Sequence, residues 1–378
     1  PKWSYLTSSI NTTAQTVEVQ VTCSDNNYLE SSLNNSDVKV LIDDTEKTGI
    51  NKQITKISST GTEATYRIVL SNFGKESGKT KIKIGSDTVK DTSGNGNDET
   101  EINVGNPNST GPFKDSIVDF VKPVITYKYS NTEVKNPDIN YSEKTVAITF
   151  DVTDKYIQSC DMKLSDITIK MDGEDITENV TKDLKETNIS NGKRYTLTIS
   201  DIEKALQEGQ DYKDYSGPIQ LIFAEGKAVD TTGNKNAQTT ISVDYDDGDD
   251  NDNPIIADVV APIWVYNTSS IDRTNNTVTV KIQGTDKYLK QSTLNADNIE
   301  VYVGGTKNSQ ITKTLEEVTS EKTSTKVVYN LKLSNFGTND KDVKIKIPEN
   351  TLIDTSNNNN KATEILVGNP KWVEAGDQ

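Results

Sequence analysis

The sequence predicts an all-β protein made of three antiparallel β-sandwiches in tandem. The chain has 378 residues, which corresponds to two to four modules at about 100–150 residues per domain. Apolar residues, tyrosine included, make up only 32% of it, so each core is small. Five sequence landmarks recur three times in the same order, and short strands separated by Gly, Asn and Asp turns are typical of sandwiches with about seven strands.

Near the start of each repeat lies a strand in which apolar residues alternate with mostly polar ones, as a half-buried strand requires. The inward residues are Val17, Val19 and Val21, then Val146, Ile148, Phe150 and Val152, then Val278, Val280 and Ile282. A loop follows, with the sequence Ser24-Asp25-Asn26-Asn27-Tyr28-Leu29, Thr153-Asp154-Lys155-Tyr156-Ile157 or Thr285-Asp286-Lys287-Tyr288-Leu289. The third landmark is a short strand preceded by Asp37, Asp166 or Asp297.

The fourth and fifth landmarks lie near the end of each repeat. Leu70-Ser71-Asn72-Phe73-Gly74 recurs as Leu333-Ser334-Asn335-Phe336-Gly337, with Ile199-Ser200-Asp201-Ile202 in the middle repeat. A closing turn reads Asp91-Thr92-Ser93-Gly94-Asn95, Asp230-Thr231-Thr232-Gly233-Asn234 or Asp354-Thr355-Ser356-Asn357-Asn358. In the third repeat Asn357 replaces the turn glycine, and because asparagine tolerates the left-handed conformation we expect the turn to be kept.

The landmarks predict the domain bounds. They are 1–107 for the first sandwich, 108–122 for a linker, 123–245 for the second sandwich, 246–261 for an acidic linker, 262–369 for the third sandwich and 370–378 for the start of a further linker. The second sandwich has an insertion at 201–218, where Ser200-Asp201-Ile202-Glu203 has the form of a capping box, so a short helix is predicted over 204–208. Like charges at 246–252 predict that the second junction is looser than the first.

These motifs resemble those of bacterial immunoglobulin-like (Ig-like) domains. The similarity rests on Asp-x-x-x-Pro at the start of a domain (Asp119 to Pro123, Asp258 to Pro262) and on Asp-x-x-Gly-Asn before the last strand, and it covers essentially the whole chain. The resemblance implies an extracellular, non-enzymatic tandem array on a bacterial cell surface, within a large adhesin-type protein. Because the chain starts without Met, we expect it to be a segment of that longer protein.

The composition argues against several functions. The chain has 41 Lys plus Arg against 57 Asp plus Glu, a net charge of −16 that repels nucleic acid and anionic membranes. It has no His, which removes the usual general base and the commonest zinc ligand. No stretch approaches the roughly 18–20 apolar residues needed to cross a bilayer. We therefore expect no enzyme, no nucleic-acid partner and no membrane insertion, while the state of Cys23 and Cys160 stays open.

The aspartates of the recurring loops give the sharpest hypothesis of a site. In an Ig-like sandwich the B–C and F–G loops lie at the same end as the N-terminal strand, so these aspartates should meet the one in the linker. The predicted sets are Asp119, Asp154 and Asp230 in the second repeat, and Asp258, Asp286 and Asp354 in the third. Three carboxylates repel one another unless a cation lies between them, and Ca²⁺ prefers oxygen ligands. The alternative is that each aspartate only caps its own turn.

Two functions stay open at this point. The first is a stalk or structural segment of a surface adhesin, whose partners are the neighbouring Ig-like domains of the same chain and whose junctions are stiffened by calcium. The second is a binding module, in which the insertion of the middle domain engages a host protein or glycan through an exposed aromatic patch around Tyr212 and Tyr215. Calcium is the only cofactor expected.

Overall fold

The computed structural model describes residues 1–27, 32–105, 115–129, 135–204, 213–244, 254–337 and 341–368. Within these ranges the protein contains no α-helix, and none of its helical turns could cross a membrane. The four short 3₁₀ turns are Asn35–Asp37, Leu164–Asp166, Ala296–Asn298 and Thr319–Glu321. The strands form three Ig-like antiparallel sandwiches in tandem, which confirms the predicted fold class.

The first sandwich consists of two sheets that face each other across one core. Its strands are β1 (Lys2–Asn11), β2 (Thr16–Ser24), β3 (Val38–Ile42), β4 (Thr45–Glu46), β5 (Asn51–Ser59), β6 (Glu63–Ser71), β7 (Gly78–Ile84), β8 (Thr100–Asn103) and β9 (Ile117–Val118). One sheet has the order β1-β2-β6-β5, and the other has the order β4-β3-β7-β8 with β9 paired to β7. This is the ABED against CFG arrangement of Ig-like domains, with two short extra strands, β4 and β9.

The second sandwich repeats this topology. Its strands are β10 (Val124–Tyr127), β11 (Asp138–Asn140), β12 (Thr145–Thr153), β13 (Ile157–Cys160), β14 (Ile167–Met171), β15 (Glu174–Asp175), β16 (Thr181–Ile189), β17 (Gly192–Ser200), β18 (Glu203–Lys204), β19 (Lys213–Asp214), β20 (Gly217–Phe223), β21 (Ala228–Asp230), β22 (Thr239–Ser242) and β23 (Ile256–Ala257). The main sheets are β10-β12-β17-β16, with β11 on β12, and β15-β14-β20-β22, with β23 on β20. Two small sheets, β13-β21 and β18-β19, complete it.

The third sandwich has the same plan. Its strands are β24 (Ile263–Asp272), β25 (Thr277–Thr285), β26 (Leu289–Ser292), β27 (Glu300–Val303), β28 (Thr306–Lys307), β29 (Thr312–Glu317), β30 (Lys326–Ser334), β31 (Val343–Ile347), β32 (Leu352–Asp354) and β33 (Thr363–Gly368). Its sheets are β24-β25-β30-β29, β28-β27-β31-β33 and the small pair β26-β32.

The short helix predicted in the insertion of the second sandwich is not supported by the structure. Glu203–Lys204 pairs antiparallel with Lys213–Asp214, so Glu203 lies in a strand and not in the first turn of a helix. A helix of about five residues is marginal by itself because nucleation is costly. The two ends of the insertion are instead joined by a backbone bond from Tyr215 to Ile202 (3.2 Å). Most of the predicted helix, residues 205–208, falls outside the described residues.

Each sandwich has its own hydrophobic core. The inward residues of β2, β12 and β25, the alternating strands found in the sequence, are buried, at 0–1% exposure, as the alternation predicts. Cys23 continues this row and packs in the first core, while Cys160 packs in the second, and both thiols are free.

The segments that lead from one sandwich to the next are held by the preceding sandwich. Ile117–Val118 pairs with the start of β7, and Phe120 packs in the first core. At the second junction Ile256–Ala257 pairs with the start of β20, and Val259 packs in the second core. Each linker aspartate therefore lies directly after a strand that is fixed on the preceding sandwich.

Candidate metal centres

Small two-stranded sheets bring the loop aspartates together. In the second sandwich β13 pairs with β21, and this register places Ile157 opposite Asp230. Asp154 lies three residues before Ile157, so its loop folds over the end of β21. The third sandwich repeats the arrangement, with Leu289 of β26 opposite Asp354 of β32. The pairing of two non-adjacent loops, and not any local motif, sets the distance between the carboxylates.

The structure places each predicted set of three aspartates in one cluster. Within each cluster, the three residues each offer a carboxylate oxygen that lies within 4.8 Å of the other two. All six side chains are buried, at 8% exposure or less. The two clusters are Asp119, Asp154 and Asp230, and Asp258, Asp286 and Asp354. The linker and both loops of the following sandwich contribute to each.

Turn capping, the alternative interpretation, occurs in the same residues. Asp154 Oδ1 accepts a hydrogen bond from the Tyr156 amide at 2.7 Å, and Asp286 Oδ1 accepts one from the Tyr288 amide at 2.7 Å. Asp119 Oδ1 is bonded in the same way, by the amide two residues further on, at 2.9 Å. These bonds hold each side chain in one orientation and occupy only one of its two oxygens.

The second oxygen of three of these carboxylates is unpartnered. Among the described residues, the Oδ2 atoms of Asp119, Asp258 and Asp286 are buried and have no hydrogen-bond partner. Leaving a buried polar atom unpaired costs about 1–3 kcal/mol, and more when the group is charged. For these three carboxylates the two interpretations are therefore compatible, since Oδ1 caps the turn and Oδ2 is left without a hydrogen bond.

An asparagine of the closing turn ties the linker to the cluster. Asn234 Nδ2 donates both to Asp230 Oδ2 (2.7 Å) and to the backbone carbonyl of Asp119 (2.6 Å). In the third sandwich Asn358 makes the same two kinds of bond, to the turn aspartate (2.8 Å) and to the carbonyl of the linker aspartate (3.1 Å). This side chain fixes the linker backbone against the closing turn at both junctions.

Burial disfavours the charged form of these carboxyls. It raises the pKa of Asp286 to about 8, and repulsion from Asp258 adds to the effect. Burial likewise raises the pKa of Asp258 to about 6 and that of Asp119 to about 6, with neighbouring aspartates adding to both. The pKa of Asp154 and that of Asp354 are also raised, mainly by burial. A bound cation would remove this penalty, because an adjacent positive charge favours the ionised carboxylate.

The first sandwich has an aspartate at the same loop that is not part of a cluster. Asp25 caps its loop by accepting a bond from the Asn27 amide at 2.7 Å, as the corresponding aspartates do in the other sandwiches. Its side chain is 22% exposed, whereas the six aspartates of the two clusters are buried. Among the described residues, buried clusters of three carboxylates therefore occur only at the second and third sandwiches.

Two lysines next to the clusters reach the preceding sandwich, and the sequence analysis did not single them out. Lys155 Nζ donates to the carbonyl of Ser77 at 2.9 Å. Lys287 Nζ donates to the carbonyl of Ser216 at 2.7 Å and pairs with Asp172 at 2.9 Å. The signal was present in the sequence, since Asp-Lys-Tyr follows the first long strand in the second and third repeats.

No family model matches the chain, and no curated protein matches it. Among solved structures it is similar to Dpr2 Ig1–Ig2 in complex with DIP-Theta Ig1–Ig3, with a TM-score of 0.35 and 11% identity over 96% of this chain and 93% of that chain.

Two further structures have lower scores. The N-terminal eight Ig domains of the Down syndrome cell adhesion molecule, isoform 1.30.30, give a TM-score of 0.24 and 12% identity, over 93% of this chain and 39% of that chain. A marsupial T cell receptor gives a TM-score of 0.19 and 12% identity, over 97% and 99%. Similarity at this level carries no information on function. The topology and the clusters define the chain as a tandem array of Ig-like sandwiches with buried aspartate clusters at its two junctions.

Proposed function

We propose that this chain is a non-enzymatic, extracellular structural segment of a bacterial surface adhesin, and that calcium bound at its two domain junctions stiffens it. The observation that carries this proposal is the repeated cluster of three buried aspartates, each combining a linker residue with two loop residues of the following sandwich. Its partners are the neighbouring sandwiches of the same chain.

The donor set favours calcium over other metals. All side chains in each cluster are carboxylates, and the chain has no His to serve a softer metal. Ca²⁺ takes six to eight oxygen ligands in flexible geometry, whereas Mg²⁺ demands a near-ideal octahedron and loses water reluctantly. Sites in extracellular modules commonly bind calcium at about 10⁻⁴–10⁻³ M. We expect affinities of this order.

Calcium at these positions would stiffen the junctions because its ligands come from separately anchored segments. The linker aspartate follows a strand that is paired with the preceding sandwich, at Val118 for the first junction and Ala257 for the second. The other two aspartates of each cluster lie in loops of the following sandwich. An ion held by all three opposes bending between them.

The described residues give no support to the alternative, a ligand-binding patch in the insertion. Tyr215 is only 4% exposed and packs in the core of the second sandwich. Tyr212 lies outside the described residues. The junction clusters are therefore the stronger basis for a function.

Thermal unfolding of the full chain in EDTA and in millimolar calcium tests the proposal. Calcium at about ten times its dissociation constant stabilises the folded state by about 1.4 kcal/mol per site, so calcium should raise the midpoint by a few degrees and magnesium should raise it much less. Small-angle scattering should show a narrower distribution of shapes with calcium. Equal midpoints in EDTA and calcium would leave turn capping as the whole account of these aspartates.

Matched variants separate a calcium ligand from a turn cap. Asp154→Asn combined with Asp286→Asn should abolish the calcium response. Asp175→Asn is the control, because exposed Asp175 also caps a turn, through the Thr177 amide at 3.0 Å, but belongs to neither cluster. The control should keep the full calcium response.

A further inference from the structure

A fourth carboxylate, Asp214, lies beside the second cluster. Its Oδ1 accepts a bond from the Ser216 amide at 2.8 Å, and its Oδ2 is buried without a hydrogen-bond partner among the described residues. Ser216 Oγ in turn donates to Asp258 Oδ1 at 3.0 Å. Ser216 thus links Asp214 to the linker aspartate of the cluster.

Asp214 lies outside the three carboxylates whose oxygens come within 4.8 Å of one another, but close enough for its charge to add to their electrostatics. Burial is the main cause that raises the pKa of Asp258, of Asp286 and of Asp354, and the charge of Asp214 adds to it. Asp214 closes the insertion of the second sandwich, at the end of β19. It therefore belongs to the sandwich that precedes the junction, whereas Asp286 and Asp354 belong to the one that follows.

The first junction has no carboxylate in the corresponding place. In the first sandwich the Glu76 amide donates to the Phe73 carbonyl, and in the second the Tyr215 amide donates to the Ile202 carbonyl. When these two bonds are aligned, Lys75 of the first sandwich corresponds to Asp214 of the second. The two junctions therefore differ by one carboxylate, supplied by the insertion.

We propose that Asp214 is the fourth carboxylate of the second calcium site, and that this site binds calcium more tightly than the first and bridges both sandwiches. The inference rests on the proposed function of the junction clusters. Calcium affinity in protein sites increases with the charge of the ligands and with the rigidity of the site. A tighter calcium site at the second junction reverses the sequence-based expectation that this junction is the looser one. That expectation rested on the acidic run at 246–252, which lies outside the described residues.

Calorimetric titration of the full chain with calcium chloride tests the inference. The wild-type protein should show one tight and one weak site. Asp214→Asn should weaken the tight site by about tenfold or more and leave the weak one unchanged. Asp154→Asn should remove the weak site and keep the tight one. Asp172→Asn is the control, because it removes a negative charge from the same junction, but from a carboxylate that pairs with Lys287 and is 53% exposed. It should change neither affinity by more than about twofold.

The outcomes separate the inference from the proposed function. Absence of any calcium binding by the wild-type chain would overturn both. Two sites of equal affinity, or a tight site unchanged by Asp214→Asn, would overturn the inference alone. If Asp214→Asn does not fold, Lys75→Asp replaces it: a tightened weak site supports the inference, and an unchanged weak site overturns it.

Discussion

The ammonium group of Lys287 donates a hydrogen bond to the backbone carbonyl of Ser216 at 2.7 Å, and this bond crosses the junction between the second and third sandwiches. Lys155 makes the equivalent bond across the first junction. Each lysine directly follows a loop aspartate of a junction cluster. In each of these loops the aspartate would bind calcium, and the lysine that follows it bonds to the preceding sandwich.

Replacing this lysine should loosen the junction without unfolding either sandwich. Lys287→Met loses the bonds to Ser216 and Asp172. Because the side chain is 30% exposed, we expect the free energy of unfolding to fall by less than about 1 kcal/mol. Distances between spin labels on the second and third sandwiches should, however, spread more widely.

The control for this substitution is Lys290→Met, since exposed Lys290 bonds only to Asn357 of its own sandwich among the described residues. It should leave the distance distribution as in the wild type. A distribution unchanged by Lys287→Met, in EDTA and in calcium, would show that the lysine does not orient the domains.

The calcium-free protein should become less stable as the pH rises from about 4 to about 8. Burial raises the pKa of Asp119 and that of Asp258 to about 6, and that of Asp286 to about 8. Over this interval the folded state therefore binds more protons than the unfolded state, so the free energy of unfolding falls with increasing pH. Saturating calcium should abolish the fall, because the ion keeps the carboxylates ionised in the folded state.

Urea unfolding at pH 5 and pH 8, in EDTA and in calcium, measures this effect. Asp286→Asn removes the group with the largest shift, so the calcium-free variant should lose most of the fall above pH 6. A calcium-free wild type that is more stable at pH 8 than at pH 5 would contradict the prediction.

The fold and the cluster residues could be predicted because their signals are local and repeated. Alternation along Val17, Val19 and Val21 identifies a half-buried strand by itself, and the topology then places the flanking loops at one end. The turn at Asn357 is a further example. Its φ of 66° lies near the 86° of Gly94, as expected for an asparagine in a position that favours glycine.

Asp214 could not be predicted because nothing in the other repeats corresponds to its insertion. Its place beside the second cluster depends on the pairing of two-residue strands and on Ser216, both of which are non-local. The capping-box pattern before Lys204 even predicted a helix, because local propensity cannot reveal that the two ends of the insertion are joined. The anchoring of the linkers through β9 and β23 was missed for the same reason, since two-residue strands have no recognisable period.

The bond between the closing turn and the linker gives the last prediction. Asn234→Ala removes the donor shared by Asp230 Oδ2 and the carbonyl of Asp119, both buried. Losing two bonds to buried acceptors should destabilise the second sandwich by about 2 kcal/mol. Asn95→Ala is the matched control, because Asn95 bonds the equivalent Asp91 at 2.8 Å, with no bond to a linker carbonyl among the described residues, and lies at the surface. Its cost should be about 1 kcal/mol or less.

Hydrogen–deuterium exchange of the full chain in urea can measure each sandwich separately and so compare the two variants. The difference between them isolates the contribution of the linker bond. Asn234→Ala should also weaken calcium binding at the first junction, because the carbonyl that positions Asp119 loses its donor. Asn95→Ala should leave that affinity unchanged. Equal destabilisation by the two variants, together with unchanged calcium affinity, would mean that the asparagine caps the turn and does not hold the linker in place.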